Sequence, residues 1–262
     1  MRLGRIQNDY SAAGFDLVRE SGLDFIEICC NYDRDVERLV ASRDAVKGEI
    51  SRTGLDVSSV GRWNHEIQRE GRIDPEKLAL YESLLDTAVS LGAKTFVCGC
   101  NYDASVSRFK NYINAIELFG RLIERARGTG TRVAVQNCNW NNFVYSPEEW
   151  RVVLDELPEL WLKFDPSHAY SRGCDYLAEL SSWGERVAHF HVKGMTRVGG
   201  GRSVDDPPAG MDDLKWGSIF SILYARGYTG DLSIEPHSKT WQGELGTRGV
   251  AFTRDFIRPF IL

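Results

Sequence analysis

Short hydrophobic runs rich in β-branched residues alternate along this chain with longer segments whose apolar positions recur at helical spacing. Strands that alternate with helical patterns in this way indicate parallel βαβ units. The pattern predicts eight strands, at about residues 3–7, 25–29, 57–60, 95–98, 133–136, 161–165, 187–192 and 232–235.

Several predicted helices have recognisable ends. Asp74 followed by Pro75 is typical of a helix start, and Ser146 with Glu149 has the spacing of a capping box. A glycine stands just before many of the predicted strands, where a left-handed residue would end the preceding helix; these are Gly22, Gly54, Gly92, Gly130 and Gly227.

The number and spacing of the units predict an α/β fold of the (β/α)8 TIM barrel type, as a single domain over residues 1–262. Eight units in 262 residues average about 33 residues each, which suits a closed barrel. The alternative is an open doubly wound sheet, but residues 8–14 after the first strand lack its glycine-rich phosphate turn. Residues 194–213 are the longest predicted irregular stretch and are interpreted as a lid or a disordered loop.

Composition excludes some classes of function. Hydrophobic residues make up 42% of the chain and the net charge is −5, with no basic stripe of the kind that binds nucleic acid. The N-terminus lacks the apolar core of a signal peptide, and no apolar run has the length of a membrane span. We therefore expect a cytoplasmic protein that acts on neither nucleic acid nor membrane.

Four successive predicted strands each finish with a polar residue on the same face. Because side chains alternate along a strand, Gln136, Asp165, His191 and Glu235 are all expected to point into the barrel. All four stand at carboxyl ends of strands, where TIM barrels carry their active sites. Two carboxylates, an imidazole and an amide oxygen could hold Mn²⁺, Mg²⁺, Co²⁺ or Zn²⁺. A polar network without metal is the alternative.

At these residues the chain resembles the xylose isomerase-like TIM barrel family, the sugar phosphate isomerase and epimerase superfamily. The resemblance covers nearly the whole chain. It is strongest in Val133-Ala134-Val135-Gln136-Asn137, Phe164-Asp165-Pro166-Ser167-His168, His189-Phe190-His191-Val192-Lys193 and the segment 227–235. It implies one divalent ion, with Mn²⁺ favoured, on Gln136, Asp165, His191 and Glu235. It also implies that His168 binds substrate.

The chain departs from the family pattern at two positions. Gln136 stands where the family usually has glutamate, and Gly194 stands where an acidic residue is common. Glutamine can coordinate through its carbonyl oxygen but cannot titrate. The ligand set would then carry two negative charges instead of three, and a symmetric reaction with two glutamate bases would be impaired.

The resemblance and these departures together predict a metal-dependent isomerase or epimerase that acts on a ketose or keto-sugar through an enediolate. Glu235 is the expected general base, and His168 the expected proton donor or substrate ligand. Two alternatives stay open: a lyase or dehydratase that performs β-elimination on a keto-sugar or keto-glycoside, and a non-catalytic partner subunit with an incomplete site. A nuclease of the same superfamily fits poorly with five histidines and an acidic chain.

Loops that follow the strands supply the expected contacts to a small carbohydrate substrate. Aromatic rings can stack on sugars, and amides offer both donor and acceptor groups; besides His168, the residues are Trp63, His65, Asn137, Trp140, Lys193 and His237. Rim packing, turn formation or structural histidines are the alternative interpretations of these residues. Glu27 and Lys163 are expected to form a structural charge network deeper in the barrel. A homo-oligomer or a partner subunit is compatible with the sequence.

Overall fold

A computed structural model describes residues 1–262, except for the environment of Gly200. Eight parallel strands form a closed barrel, in which each strand pairs with its neighbours in chain order and the last pairs with the first. They are β1 (Arg2–Ile6), β2 (Phe25–Cys29), β3 (Asp56–Gly61), β4 (Thr95–Cys98), β5 (Arg132–Gln136), β6 (Trp161–Phe164), β7 (Val187–Val192) and β8 (Asp231–Ile234). The predicted (β/α)8 TIM barrel is confirmed, and an open doubly wound sheet is excluded.

Helices connect the strands and cover the outside of the barrel. They are α1 (Ala12–Glu20), α2 (Asp33–Thr53), α3 (Pro75–Ser90), α4 (Arg108–Ala126), α5 (Pro147–Glu156), α6 (Pro166–Ser171), α7 (Tyr176–Trp183), α8 (Trp216–Ala225) and α9 (Gly243–Ile257). No helix of the described chain combines the length and the apolar character needed to cross a membrane.

The alternation of side chains along the strands divides the interior in two. Val133, Val135, Leu162 and Phe164 point outwards and belong to the large apolar core beneath the helices. Ala134 instead packs inside the barrel, in a small cluster with Trp63 and Val97. The alternate positions of the later strands therefore bring their polar side chains into the lumen.

The predicted helix starts at Asp74 and Ser146 are both present, but the second lacks the predicted capping hydrogen bonds. Asp74 caps α3 by accepting hydrogen bonds from the backbone of Glu76 and Lys77, and the five glycines named above all have positive φ. The capping box at Ser146 is wrong: its hydroxyl lies 2.5 Å from the Glu149 carboxylate and caps no backbone N–H. The other oxygen of that carboxylate accepts from Arg108 at 2.7 Å, which draws Glu149 towards α4.

The stretch at 194–213 is not irregular throughout, as the sequence had suggested. Thr196–Val198 and Arg202–Asp205 form an antiparallel hairpin. The end of this hairpin is tied to the loop after β8, because Ser238 donates to Asp205 at 2.6 Å and His237 pairs with Asp206 at 2.9 Å. A second short hairpin, Gln68–Arg69 with Arg72–Ile73, follows β3.

Candidate functional site

Three of the four polar strand ends meet inside the mouth of the barrel. Nδ1 of His191 lies 2.9 Å from Oε2 of Glu235 and 3.9 Å from Oδ2 of Asp165. One donor atom from each of the three residues lies within 4.8 Å of the others. Asp165 and His191 are fully buried, and Glu235 keeps 15% of its side-chain surface exposed.

Asp165 is held by the start of α6. Its Oδ1 accepts from the backbone N–H of Ser167 at 2.9 Å, and Pro166 occupies the first helical position, where it leaves no amide hydrogen unsatisfied. Asn137 uses both ends of its amide on the Asp165 backbone, at 2.8 and 2.9 Å. These contacts leave Oδ2 buried and facing the ammonium groups of Lys193 and Lys163.

Glu27 contacts the ring nitrogen of His191 that faces away from Glu235. Its carboxylate lies 3.0 Å from Nε2 of His191 and 2.9 Å from Nε2 of His189. Burial alone would lower the pKa of His191, but Glu27 and Glu235 outweigh it and raise that pKa. The structure thus gives Glu27 a definite position: it fixes the ring of His191, so that Nδ1 faces Asp165 and Glu235. A carboxylate behind a ligating histidine commonly has this role.

Gln136 stands beside this group with its amide orientation fixed. Its Nε2 lies 3.3 Å from the Trp63 carbonyl oxygen and 2.9 Å from Nε2 of His65. Burial lowers the pKa of His65 to about 3, so its ring is neutral and can accept from the amide. Oε1 of Gln136 is buried and has no hydrogen-bond partner in the described chain.

Lys193 places its ammonium on the same carboxylates. Nζ lies 3.2 Å from Oδ2 of Asp165, 3.4 Å from Oε2 of Glu235 and 3.4 Å from Nε2 of His168. Burial alone would lower the pKa of Lys193, but Asp165 and Glu235 raise it well above its ordinary value. The sequence predicts Lys193 as a possible contact to substrate but does not predict these ion pairs, because they depend on how far a flexible side chain reaches.

The charges of the site nearly balance one another. Glu27, Asp165 and Glu235 bring three carboxylates, and Lys163 and Lys193 bring two ammonium groups; Lys163 lies 3.8 Å from Asp165. Burial would raise the pKa of both Asp165 and Glu235, but the nearby cations, Lys193 first among them, lower both. Both acids are therefore ionised at neutral pH. Burial, assisted by Lys193, lowers the pKa of His168 and leaves that ring neutral.

These residues fit one divalent cation. Two carboxylates and an imidazole nitrogen lie within reach of a single ion, and Gln136 Oε1 is a buried oxygen without a hydrogen bond. Such an oxygen is costly to bury unless it is paired or bound to a metal. Carboxylate and amide oxygens together with one imidazole nitrogen are ligands that suit Mn²⁺, Mg²⁺ or Zn²⁺.

A cavity of about 360 Å³ opens above the site. Four of the expected substrate contacts besides His168 line it, namely Trp63, Trp140, Lys193 and His237, and Glu235 forms part of its wall. Trp63 also stacks on His191, with ring centroids 6.1 Å apart, so its ring connects the cavity wall with the residues of the site.

Two of the expected substrate contacts do not line this cavity. Asn137 is fully buried, and its amide is committed to the backbone of Asp165. His65 is also fully buried; it is held between Gln136 and the Tyr81 hydroxyl, 2.7 Å away, and it lines a neighbouring cavity instead. Sequence spacing could not separate these residues from Trp63 and Trp140, because it does not show which side of a loop faces the lumen.

The fold and the site together define a TIM barrel protein with a buried polar centre at the carboxyl ends of its strands. A comparison with family models places the chain more narrowly: the xylose isomerase-like TIM barrel model matches residues 15–256, and the chain belongs to that family. Over 155 residues it is 28% identical to the uncharacterized protein YfiH of Bacillus subtilis (strain 168). That match covers 51% of this chain and 49% of YfiH, so it spans about half the length of that relative.

Solved structures of sugar epimerases have the same fold. D-psicose 3-epimerase from Clostridium cellulolyticum H10 is 16% identical with a TM-score of 0.78, and the match covers 100% of this chain and 99% of that one. A 3-keto-D-glucoside 4-epimerase from E. coli is 17% identical with a TM-score of 0.74 and 99% of both chains covered. D-allulose 3-epimerase from Methylomonas sp. is 19% identical, with a TM-score of 0.76 and coverage of 99% and 98%. At these identities the likeness establishes the common fold.

Proposed function

We propose that this protein is a sugar isomerase or epimerase that acts on a ketose or keto-sugar with one divalent ion, Mn²⁺ being favoured. The observation that carries the proposal is the meeting of Asp165, His191 and Glu235 beneath a cavity of about 360 Å³, where both carboxylates are held in the ionised form. Family membership and epimerases of the same fold support a carbohydrate substrate.

Asp165, His191, Glu235 and Oε1 of Gln136 would hold the ion. When bound, it would polarise the substrate carbonyl and stabilise negative charge on the adjacent oxygens. Lys193 would have to release Asp165 and Glu235 as the ion binds, because its ammonium occupies the same two oxygens. The released ammonium, with neutral His168 beside it, would then be available to the substrate oxygens.

Glu235 is the proposed base. Its ionised carboxylate lines the cavity and would take a proton from the C–H next to the carbonyl, while the C–H electron pair forms the C=C bond of the enediolate. Return of the proton to the former carbonyl carbon, with a proton shifted between the two oxygens, completes an isomerisation. Gln136 cannot exchange a proton, so a single base on the Glu235 side is favoured over a symmetric pair.

The test is proton exchange. The metal-stripped protein would be reloaded with Mn²⁺ and incubated in D₂O with a panel of ketoses and keto-glycosides, and the products followed by NMR. Deuterium at a carbon next to the carbonyl, with the carbon skeleton retained, is expected for the wild type and absent in Glu235→Gln. Loss of water or of an aglycone would instead identify a lyase. A protein that exchanges no proton and binds no metal would be a non-catalytic subunit.

A further inference from the structure

A second, larger cavity lies beside the one that contains Glu235. It measures about 620 Å³, is open to solvent, and is lined by the loops after β3, β4 and β5 and by the first turns of α4 and α5. His65, Tyr102, Asn139, Asn141 and Phe143 are among its lining residues. None of these five residues lines the first cavity, so the two cavities have separate walls.

The two cavities are separated by one ridge. Along the loop after β3, Trp63 faces the first cavity and His65 the second; along the loop after β5, Trp140 faces the first, and Asn139 and Asn141 the second. Nδ2 of Asn141 donates to Oδ1 of Asn64 at 2.5 Å and joins the two loops across the ridge. The backbone of Asn141 has a φ of 45°, a left-handed conformation that asparagine tolerates better than most residues.

The chemistry of the second cavity suits an uncharged, hydroxyl-rich ligand. Tyr102 is 48% exposed and packs edge-on against Phe143, with centroids 5.8 Å apart, so a large part of its ring is open to a ligand. Asn139 and Asn141 are exposed amides that can both donate to and accept from hydroxyl groups. The charge of Arg108 is offset by Glu148 and Glu149, at 2.9 and 2.7 Å, and Glu66 adds an exposed carboxylate to the lining, so the cavity disfavours an anionic ligand.

We propose that the second cavity is a carbohydrate subsite, and that the substrate is a glycoside whose second ring binds there while the keto ring lies against Glu235. The proposal rests on the proposed function for the identity of the first ring only. Neighbouring residues of the same two loops line the two cavities, an arrangement that fits two linked rings, and the hydrogen bond between Asn141 and Asn64 joins these loops. An aromatic face with a few polar groups that set orientation is the usual composition of such pockets.

The second cavity is also connected to the proposed metal ligands. His65 lines it, and the same ring lies 2.9 Å from Nε2 of Gln136 and orients that amide. His65 is fully buried beneath the wall of the cavity, so a sugar ring in the subsite would lie above the residue that orients Gln136 without contacting its ring. We expect a bound glycoside to be positioned at both rings, whereas a free monosaccharide would be positioned at one.

The test measures binding and does not require turnover. Saturation-transfer NMR and calorimetry would compare the Mn²⁺-loaded wild type with Tyr102→Ala and Asn139→Ala, using cellobiose, maltose and trehalose as neutral disaccharides and D-glucose as the single ring. At least one disaccharide is expected to show contact at both rings. Tyr102→Ala should weaken its binding about fivefold, the scale of one lost aromatic contact, and leave D-glucose binding unchanged.

A matched control is available next to the cavity. Phe109 is an exposed aromatic residue of α4, 73% accessible, that does not line the cavity, so Phe109→Ala should change neither affinity. Absence of two-ring contact for all three disaccharides, or an equal loss for both ligand classes in Tyr102→Ala, would overturn the subsite. Disaccharide binding that depends on Tyr102 in a protein without isomerase activity would leave the subsite standing and refute the proposed function alone.

Discussion

Replacing Lys193 by methionine tests the proposed exchange between this ammonium and a divalent ion. Lys193 is 4% exposed, and its Nζ lies 3.2 Å from Asp165 and 3.4 Å from Glu235, two of the proposed metal ligands. Methionine has a comparable length and no charge, so it fills the space without competing for the carboxylates. We expect the variant to bind Mn²⁺ more tightly than the wild type does.

The size of the effect follows from the ion pairs that the substitution removes. Loss of one partner from a buried ion pair costs about 3–5 kcal/mol, mostly because the other charge is left without compensation. A bound divalent ion would restore that compensation, whereas in the wild type it must first displace Lys193. If about half of the cost is recovered on binding, the gain is about 2 kcal/mol, or roughly 30-fold in affinity.

Isothermal titration of metal-stripped protein with Mn²⁺ measures the affinity, and thermal unfolding measures the stability. Without metal, the Lys193→Met protein should unfold at a lower temperature than the wild type. Added Mn²⁺ should raise the unfolding temperature of the variant by more than it raises that of the wild type. Lys47→Met removes one exposed lysine of α2 and serves as the control. Unchanged or weaker Mn²⁺ binding in Lys193→Met would refute the exchange; Lys193→Gln repeats the test if the methionine variant folds poorly.

Three further substitutions test the other parts of the site. Gln136→Glu adds a carboxylate beside Asp165 and should tighten Mn²⁺ binding about tenfold by calorimetry; equal affinity would mean that residue 136 is not a ligand. Glu235→Gln should abolish deuterium exchange into the substrate, and exchange at the wild-type rate would remove Glu235 as the base. Glu27→Gln should cost about 3 kcal/mol of stability in denaturant unfolding near neutral pH. Burial would raise the pKa of Glu27, but His191 and His189 hold it well below its usual value, so this stability is complete above about pH 4.3 and is lost as the pH falls towards the lowered folded-state pKa. A stability of the variant equal to that of the wild type at pH 7 would contradict a supporting role for Glu27.

The sequence predicts the barrel and the meeting of Asp165, His191 and Glu235 because both depend on a strict alternation of side chains. Once Leu162 and Phe164 are assigned to the helix side, Lys163 and Asp165 must face the lumen. The position at the strand end then follows from the parallel register of neighbouring strands. Neither the alternation nor the register depends on the rotamer of a flexible side chain.

The sequence could not predict contacts that depend on loop direction or on side-chain reach. His65 and Trp63 stand two residues apart beyond the end of β3, where strand parity no longer applies, and they line different cavities. Lys193 follows β7, and its side chain reaches Glu235 just after β8 and Asp165 at the start of α6. Its rotamer is therefore set by charges from separate parts of the chain. The pattern does not predict the hairpin at residues 196–205, because its two strands are very short and flank a glycine-rich turn.

Gln136 and Lys193 are best understood as a pair, because together they set the charge that a divalent ion meets. A glutamate at position 136 would add a fourth carboxylate to a site with two lysines, and Lys193 is already shared between Asp165 and Glu235. With glutamine there, each carboxylate around His191 has a cation or an imidazole as its partner. The site is thereby stable without metal, and an entering ion must compete for its ligands. The same neutralisation keeps Glu235 ionised in a buried position, where an unpaired carboxylate would take up a proton and could no longer act as a base.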